Sequence, residues 1–506
     1  MLTVGSALSG SARRLGPKKA LIFGEQALTY QDLNTHANQI AWVLHRQGIQ
    51  PGQRVALLLP NGLEMAEIYF GIAKAGVVGV PLNLRWAPPE IAYAIRDAEV
   101  SLIVSDPELQ PILSQLDLDQ TEVLYTGVQG TWTDRVAQAP PSEPDFYVVQ
   151  EEDPWVLVYT SGTTGKPKGA IRSHRANIMI ALALASELGI SSEQTGFAIL
   201  PMFHVNSMWF VTLSMAIGAT CVIYPYRTFH PHHVIEQVNL HSVNYGMFVP
   251  SLLTFLADAV ESGKVRAEGL KVIMTASAPL DSTLRGRIIR GFPDARLYDI
   301  YGSTEYGAAT MIRHSLHGPL GSVGYPTIGQ DIKILDDERK LVDSGRVGEV
   351  YVRGPSLMTE YWKNPEANHR NFTPDGFLTV GDMGYLDEDG LLFLVDRKQD
   401  MIIVAGENVY PTEVEDVLLR HPDVGLAAVF GVPDARRGER VLALVTQREG
   451  RTLDVEALLD LCHDNLADYK RPYRIKVVPE LSLGPSGKVV RRLAKERWGS
   501  VDSFGT

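Results

Sequence analysis

Between Val158 and Ala170 the chain reads VYTSGTTGKPKGA, which sets Thr160, Ser161, Thr163 and Thr164 among Gly162, Gly165 and Gly169 and beside Lys166 and Lys168. Hydroxyls and amines this dense suit a polyphosphate, because they donate to its oxygens and offset its charge. The glycines let backbone N–H groups approach it closely. The Walker loop, G-x-x-x-x-G-K-[ST], does not fit. Aligned on Gly165 and Lys166, Thr160 stands where the first glycine belongs and Pro167 where the metal-binding hydroxyl belongs. A plain solvated turn is the weaker reading, since the hydroxyls follow directly on the apolar run WVLVY. Residue types alone therefore give a phosphate site of a different design.

The stretch YTSGTTGKPKGA resembles the signature loop of the AMP-forming acyl- and aryl-CoA synthetases, within the acyl-adenylate-forming superfamily. Further stretches similar to that family's motifs follow in its order along nearly the whole chain: PMFHVNS (201–207), TASAPL (275–280), DIYGSTE (299–305), GEVYVRG (348–354), TVGDMGYLDEDG (379–390), DRKQDMIIVAGENVYPTEVE (396–415) and PSGKVVRR (485–492). The resemblance implies a reaction in two halves. A carboxylate attacks the α-phosphorus of ATP to give acyl-AMP and pyrophosphate, and the thiol of coenzyme A then displaces AMP. Attack of one anion on another demands charge neutralisation and in-line placement more than acid–base chemistry.

Roles follow from the resemblance, motif by motif. Thr160, Ser161, Thr163, Thr164 and Lys168 would hold the β- and γ-phosphates of ATP, with Gly162 and Gly165 giving the loop its freedom. Glu305 would bind Mg2+, a hard cation that carboxylate, phosphate and water oxygens satisfy, and Thr304 would meet the α-phosphate. Adenine would lie among Ser277, Ala278 and Pro279 and the stretch Asp299, Tyr301, Gly302 and Ser303. There Tyr301 would stack on the ring and Asp299 would accept from its amino group. Asp382 would accept from the ribose hydroxyls, with Arg397 as a second ribose contact. Lys488 would bridge the attacking carboxylate and the phosphate. Gly406 would keep open the tunnel for the pantetheine arm of coenzyme A.

In this family a small C-terminal domain rotates between the half-reactions about a residue that corresponds to Gln399. The sequence departs there, since Lys or Asp is common at that place; hinge duty falls on the backbone and not on the side chain. The acid itself is less sharply specified. Amino-acid-activating relatives carry an aspartate where this chain has His204, so a substrate ammonium would lack its counter-charge. His204 would lie near the acyl carboxylate. Val205, Ser207, Met208, Trp209, Phe210 and Gly302 would build or gate an apolar pocket. PMFHVN is most similar to fatty-acid-activating members, while Trp209 and Met208 also suit a shorter cavity for an aromatic or alicyclic acid. A second reading is an adenylating enzyme that loads a separate carrier protein. A third is a nucleotide sensor without catalysis, against which Lys488 and Glu305 both speak.

Those residues need a scaffold, and the hydrophobic periodicity names it. Apolar strands such as RVALLLP, VSLIVSD, TGFAILP, ATCVIYP and KVIMTAS alternate with helical patterns, the signature of parallel α/β layers. One such helix opens near Thr29 and continues through QDLNTHANQIAWVLHR. From about Gly345 short strands and Gly/Asp turns predict a β-rich subdomain. The last hundred or so residues form an α+β unit. The expected fold is therefore α/β: a large N-terminal domain of layered α/β subdomains plus the β-rich subdomain, residues 1–398, and a small mobile α+β lid, residues 399–506.

Composition narrows the classes. The chain has 506 residues, 45% hydrophobic and 21% charged, with a formal charge of −12, which argues against nucleic-acid binding. Two cysteines, Cys221 and Cys462, exclude a disulfide framework and suit a cytoplasmic protein. No signal peptide is read at the N-terminus. Met208–Pro225 is long enough to consider as a membrane span, but its Ser, Thr and Gly residues favour a buried helix and a core strand. From Lys470 to Arg497 nine Lys/Arg face two acids, either a receiver for a polyanionic ligand or a solvated helix and tail. The expected partners are the carboxylic acid, ATP, Mg2+ and coenzyme A, with a homodimer as the one assembly allowed for.

Overall fold

The computed structural model describes residues 1–118, 121–127, 131–160, 167–263, 266–278, 280–319, 321–398, 400–404, 407–434, 437–448, 450–484 and 489–498. Two large sheets form the layers of the N-terminal part. In the first, the strands Lys19–Phe23, Thr220–Ile223, Thr195–Ala198, Tyr245–Phe248, Val272–Ala276 and Arg296–Ser303 lie side by side in parallel. In the second, Glu122–Tyr125, Val100–Ser105, Arg54–Leu58, Val78–Pro81 and Pro154–Thr160 run parallel, and Lys168–Ser173 joins antiparallel at the side of Pro154–Thr160. The central stretches of most of these strands are buried on consecutive residues, without the alternation that a half-exposed strand would show, because helices pack on the sheets.

Local sequence explains where the helices begin and end. Thr29 caps Tyr30–Arg46, accepting from the Asp32 N–H at 3.1 Å while Asp32 accepts from the Thr29 N–H at 3.0 Å. The stretch weighed as a membrane span is the buried helix Val205–Ile217, stopped by Gly218 at φ +85°, followed by the core strand Thr220–Ile223. Among the described residues no helix is long and apolar enough to cross a membrane.

The β-rich part starts earlier than composition suggested. Antiparallel pairing takes over at Gly307–Arg313 and continues through Ser322–Pro326 and Asp331–Leu335, before Gly345, and these strands extend the first sheet. The texture change misses them because Gly307–Arg313 is as apolar as its parallel neighbours. A smaller C-terminal domain follows. It is built on the long hairpin Val424–Asp434 and Gly438–Gln447, flanked by Pro411–Leu419 and Val455–Asn465, and it carries an apolar core of its own around Val414, Leu418, Val429 and Leu458.

Candidate active site

The hairpin of Pro154–Thr160 and Lys168–Ser173 sets up the first part of the site. Its last register pair is Thr160 opposite Lys168, so an apolar ladder delivers a hydroxyl and an amine side by side at its mouth. Ser161, Gly162, Thr163, Thr164 and Gly165, which span that mouth in the chain, lie outside the described residues, as do Pro279, Gln399, Gly406 and Lys488. Thr160 Oγ1 lies 3.4 Å from Glu305 Oε1, and the same oxygen accepts from the Tyr361 hydroxyl at 2.9 Å. Lys168 Nζ stands 5.6 Å from the centre of the Tyr361 ring. Partial burial, with Arg370 nearby, holds the Lys168 amine below its ordinary value, against the pull of Glu305.

Glu305 is presented by a tight turn between Arg296–Ser303 and Gly307–Arg313. Ser303 Oγ accepts from the N–H groups of both Glu305 and Tyr306 at 3.1 Å. Glycine is required here, because a Cβ on Gly302 would run into the Gly307 carbonyl. Among the described residues no three His, Cys, Asp or Glu side chains gather as a metal site. One buried carboxylate fits a divalent cation that arrives with its other oxygen ligands on a phosphate chain.

Further along the same strand, alternation separates Asp299 and Tyr301 from Ile300 and Gly302, the latter two facing an apolar cavity. Tyr301 donates to Asp382 Oδ2 at 2.7 Å, and Arg397 Nε is 3.4 Å from Asp382 Oδ1, so three residues expected around a nucleoside meet in space. Asp299 is buried with His314 Nε2 at 3.8 Å; burial raises its carboxyl pKa against the opposing effect of His314. Ser277 closes Val272–Ala276 at φ +75°, an uncommon conformation for a non-glycine residue, and its hydroxyl accepts from Asn206 Nδ2 at 3.0 Å.

The cavity measures ≈ 70 Å³ and brings together His204, Val205, Trp209, Gly302 and Thr304. His204 caps Val205–Ile217, its Nδ1 accepting from the Asn206 N–H at 3.5 Å, which puts the imidazole proton on Nε2. Burial lowers this imidazole pKa to about 4, so His204 is neutral at physiological pH. Ser207, Met208 and Phe210, also expected around the acyl group, are not among the residues that line this cavity. Helical spacing puts Val205 and Trp209 on one face and turns Ser207 and Phe210 from it: Ser207 donates to the Leu200 carbonyl at 2.7 Å and Phe210 has its ring centre 5.1 Å from that of Tyr245, while Met208 is buried in the core.

The basic C-terminal segment is less available than its composition suggested. Lys470 pairs with Glu413 at 2.7 Å, Arg497 with Glu480 at 3.3 Å, and Arg492 with Glu496. Arg491 bonds Asp396 at 2.8 Å and Thr412 at 2.7 Å and also engages Asp400 and Glu415. Sequence reasoning missed Tyr361, Asn177 and Arg172. Arg172 lies four residues beyond Lys168, and neither spacing nor composition marked it; its fully buried charge is the only signal.

Known proteins resemble this chain throughout. The family profile described as AMP-binding enzyme matches residues 8–362, and the one described as AMP-binding enzyme C-terminal domain matches 413–488. A fatty acid–[acyl-carrier-protein] ligase of Streptomyces coeruleorubidus is 33% identical over 95% of this chain and 93% of that protein. A feruloyl-CoA synthase of an Amycolatopsis species is 31% identical over 96% of this chain and 97% of that protein. Among solved structures, ATP-bound MatB from Rhodopseudomonas palustris superposes with a TM-score of 0.89 at 27% identity, covering 98% of this chain and 99% of that one.

Proposed function

This chain belongs to the AMP-binding enzymes and is an AMP-forming acyl-CoA synthetase that uses ATP, Mg2+ and coenzyme A, and on that premise we propose that its acid is a compact hydrophobic carboxylate. The observation that carries this is the cavity beside Thr304. Its described wall combines a neutral His204 and the uncharged polar Asn206, Ser277, Ser303 and Thr304 with apolar side chains such as Leu184, Trp209 and Ile300, and carries no carboxylate, which suits an acyl group and not an ammonium. Its ≈ 70 Å³ is about half of the roughly 150 Å³ that takes up a benzene ring. A short fatty acid fits the expectation drawn from PMFHVN. A small ring acid is the second reading, supported by the feruloyl-CoA synthase relative.

In this reading Lys168 and Thr160 receive the phosphates that leave as pyrophosphate, while Glu305 holds Mg2+, which supplies charge neutralisation on the phosphate oxygens. His204 donates from Nε2 to the acid's carboxylate and keeps it near Thr304 without adding a charge. Asp382 accepts from the ribose hydroxyls, and Lys488 bridges the two anions as the new bond forms. The second half-reaction follows rotation of residues 399–506 against 1–398. Both cysteines are buried and unpaired, which supports a reducing cytoplasm as the compartment.

A pyrophosphate-release screen over short, medium and long straight-chain, branched, aromatic and alicyclic acids tests the proposal. The highest kcat/KM is expected for a short or single-ring acid, and a maximum at a long chain would overturn the compact-acid reading. AMP release measured with and without coenzyme A separates thioester formation on coenzyme A from transfer to a carrier protein.

A further inference from the structure

Arg172 is fully buried, and its described hydrogen bonds all go to neutral oxygens. Nη1 donates to the Thr304 carbonyl at 2.6 Å, Nη2 to the Ser356 carbonyl at 2.7 Å, and Nε to Asn177 Oδ1 at 3.3 Å. The guanidinium carbon also stands 4.9 Å from the centre of the Trp209 ring. Burying a guanidinium without a bonded carboxylate is unfavourable for folding. This one sits where the acyl cavity meets the turn that presents Glu305.

Asn177 completes the arrangement. Its Nδ2 donates to the Ser173 carbonyl at 2.7 Å, which leaves Oδ1 to accept the Trp209 indole N–H at 2.8 Å as well as Arg172 Nε. Swinging the indole aside would break that bond, remove a ring from the face of a buried cation, and leave a buried N–H unpaired. Trp209 is therefore a fixed wall of the cavity and not a gate.

We propose that Arg172 is a positioning residue that, with Asn177, locks Trp209 as the size limit of the acyl pocket and holds the Thr304–Glu305 turn in the same rigid unit. Acid size and nucleotide–metal binding are thereby set together from behind the site. The inference rests on reading the cavity as the acyl pocket and Glu305 as the Mg2+ carboxylate.

Kinetics of purified variants test it, with kcat and KM determined separately for a graded series of acids and for MgATP. Trp209→Phe keeps a ring but loses the indole N–H, and Asn177→Ala removes the acceptor. Each is expected to shift relative kcat/KM toward the longer acid by about ten-fold, the scale of one or two methylenes in an apolar pocket. Asn177→Asp keeps an oxygen for both donors but gives up the Nδ2 donor to the Ser173 carbonyl, and is expected to recover part of the wild-type profile that Asn177→Ala loses. Arg172→Met is expected to raise KM for MgATP by about ten-fold, the scale of a lost charge-assisted hydrogen bond. Arg172→Lys, which still donates to the Thr304 carbonyl, is expected to recover part of that loss.

Folded variants with wild-type size profiles and wild-type KM for MgATP would overturn the proposal. So would an equal drop in kcat for every acid with both KM values unchanged, the mark of general loosening. If Arg172→Met does not fold, the contrast between Trp209→Phe and Asn177→Asp decides. Wild-type enzyme that activates only long chains would instead sink the compact-acid reading, while leaving the variants' profile shift open to measurement on those acids.

Discussion

Tyr361 holds one oxygen of Glu305, the same Oε1 that Thr160 approaches at 3.4 Å from the mouth of the phosphate hairpin. Its hydroxyl donates to Oε1 at 2.9 Å, so the second oxygen is left to meet a cation. Tyr361→Phe frees the carboxylate to rotate. The Mg2+ concentration for half-maximal pyrophosphate release should then rise about five-fold, the size of one hydrogen bond to a charged group. A titration of Mg2+ at fixed ATP reads this directly, and an unchanged midpoint counts against the role given to the pair. Lys488 makes a sharper case, because its charge is proposed to matter only while anion meets anion. Lys488→Ala should abolish pyrophosphate release yet spare conversion of supplied acyl-AMP to the thioester. Loss of both steps would mean the role is broader than adenylation.

At the scale of elements, the junction of Lys168–Ser173 with the helix His174–Leu188 carries a proton switch on stability. His174 is fully buried, its Nδ1 accepts from the Val4 N–H at 3.3 Å, and its Nε2 has no partner among the described residues. Burial lowers its pKa to about 4, so the folded chain resists a proton that the unfolded chain takes up near the model-peptide value of 6.5. Between those values the unfolded state binds more protons, so stability rises with pH through the window and levels off above it. On going from pH 7 to pH 5, wild type should lose about 2 kcal/mol more than His174→Phe by denaturant unfolding. Equal losses would show that some other group titrates.

The same junction shows what the sequence made legible. The hairpin could be read because hydroxyls, glycines and lysines lie next to one another along the chain, and Thr160 and Lys168 face each other across its last register pair. Thr304 and Glu305 could be read for the same reason. Which of Val205, Ser207, Met208, Trp209 and Phe210 turn toward the cavity could not be read, because helix phase is set by what packs on each face, which a run as apolar as VNSMWFVTLSMAI conceals. The Arg172–Asn177–Trp209 cluster joins a strand to two helices, and no local spacing encodes that meeting.

For the molecule as a whole, Lys398 and Arg397 just ahead of Gln399 are tied to other partners than Asp400 behind it. Ahead of it, Lys398 reaches Asp337 at 2.7 Å and Glu349 at 3.0 Å, and Arg397 reaches Asp382, all in the N-terminal part. Behind it, Asp400 pairs with Arg491, three residues past Lys488 in the chain, and Arg491 in turn holds Glu415 and Thr412. The proposed turn of one domain against the other, with both sets of ties kept, would be absorbed between them, at position 399. Arg491 also reaches back to Asp396 at 2.8 Å, and Thr412 donates to Asp396 at 2.8 and 2.9 Å, so these bonds would have to open or swivel in the proposed rotation. Proline at 399 fixes φ where the change has to occur. Gln399→Pro should therefore slow thioester formation at least about ten-fold while leaving pyrophosphate release from acid and ATP much less affected, the split expected when a domain motion separates two half-reactions. Stopped-flow measurement of the two steps resolves it. Equal damage to both would move the pivot away from 399 and require the Asp396–Arg491 bond to stay closed throughout turnover.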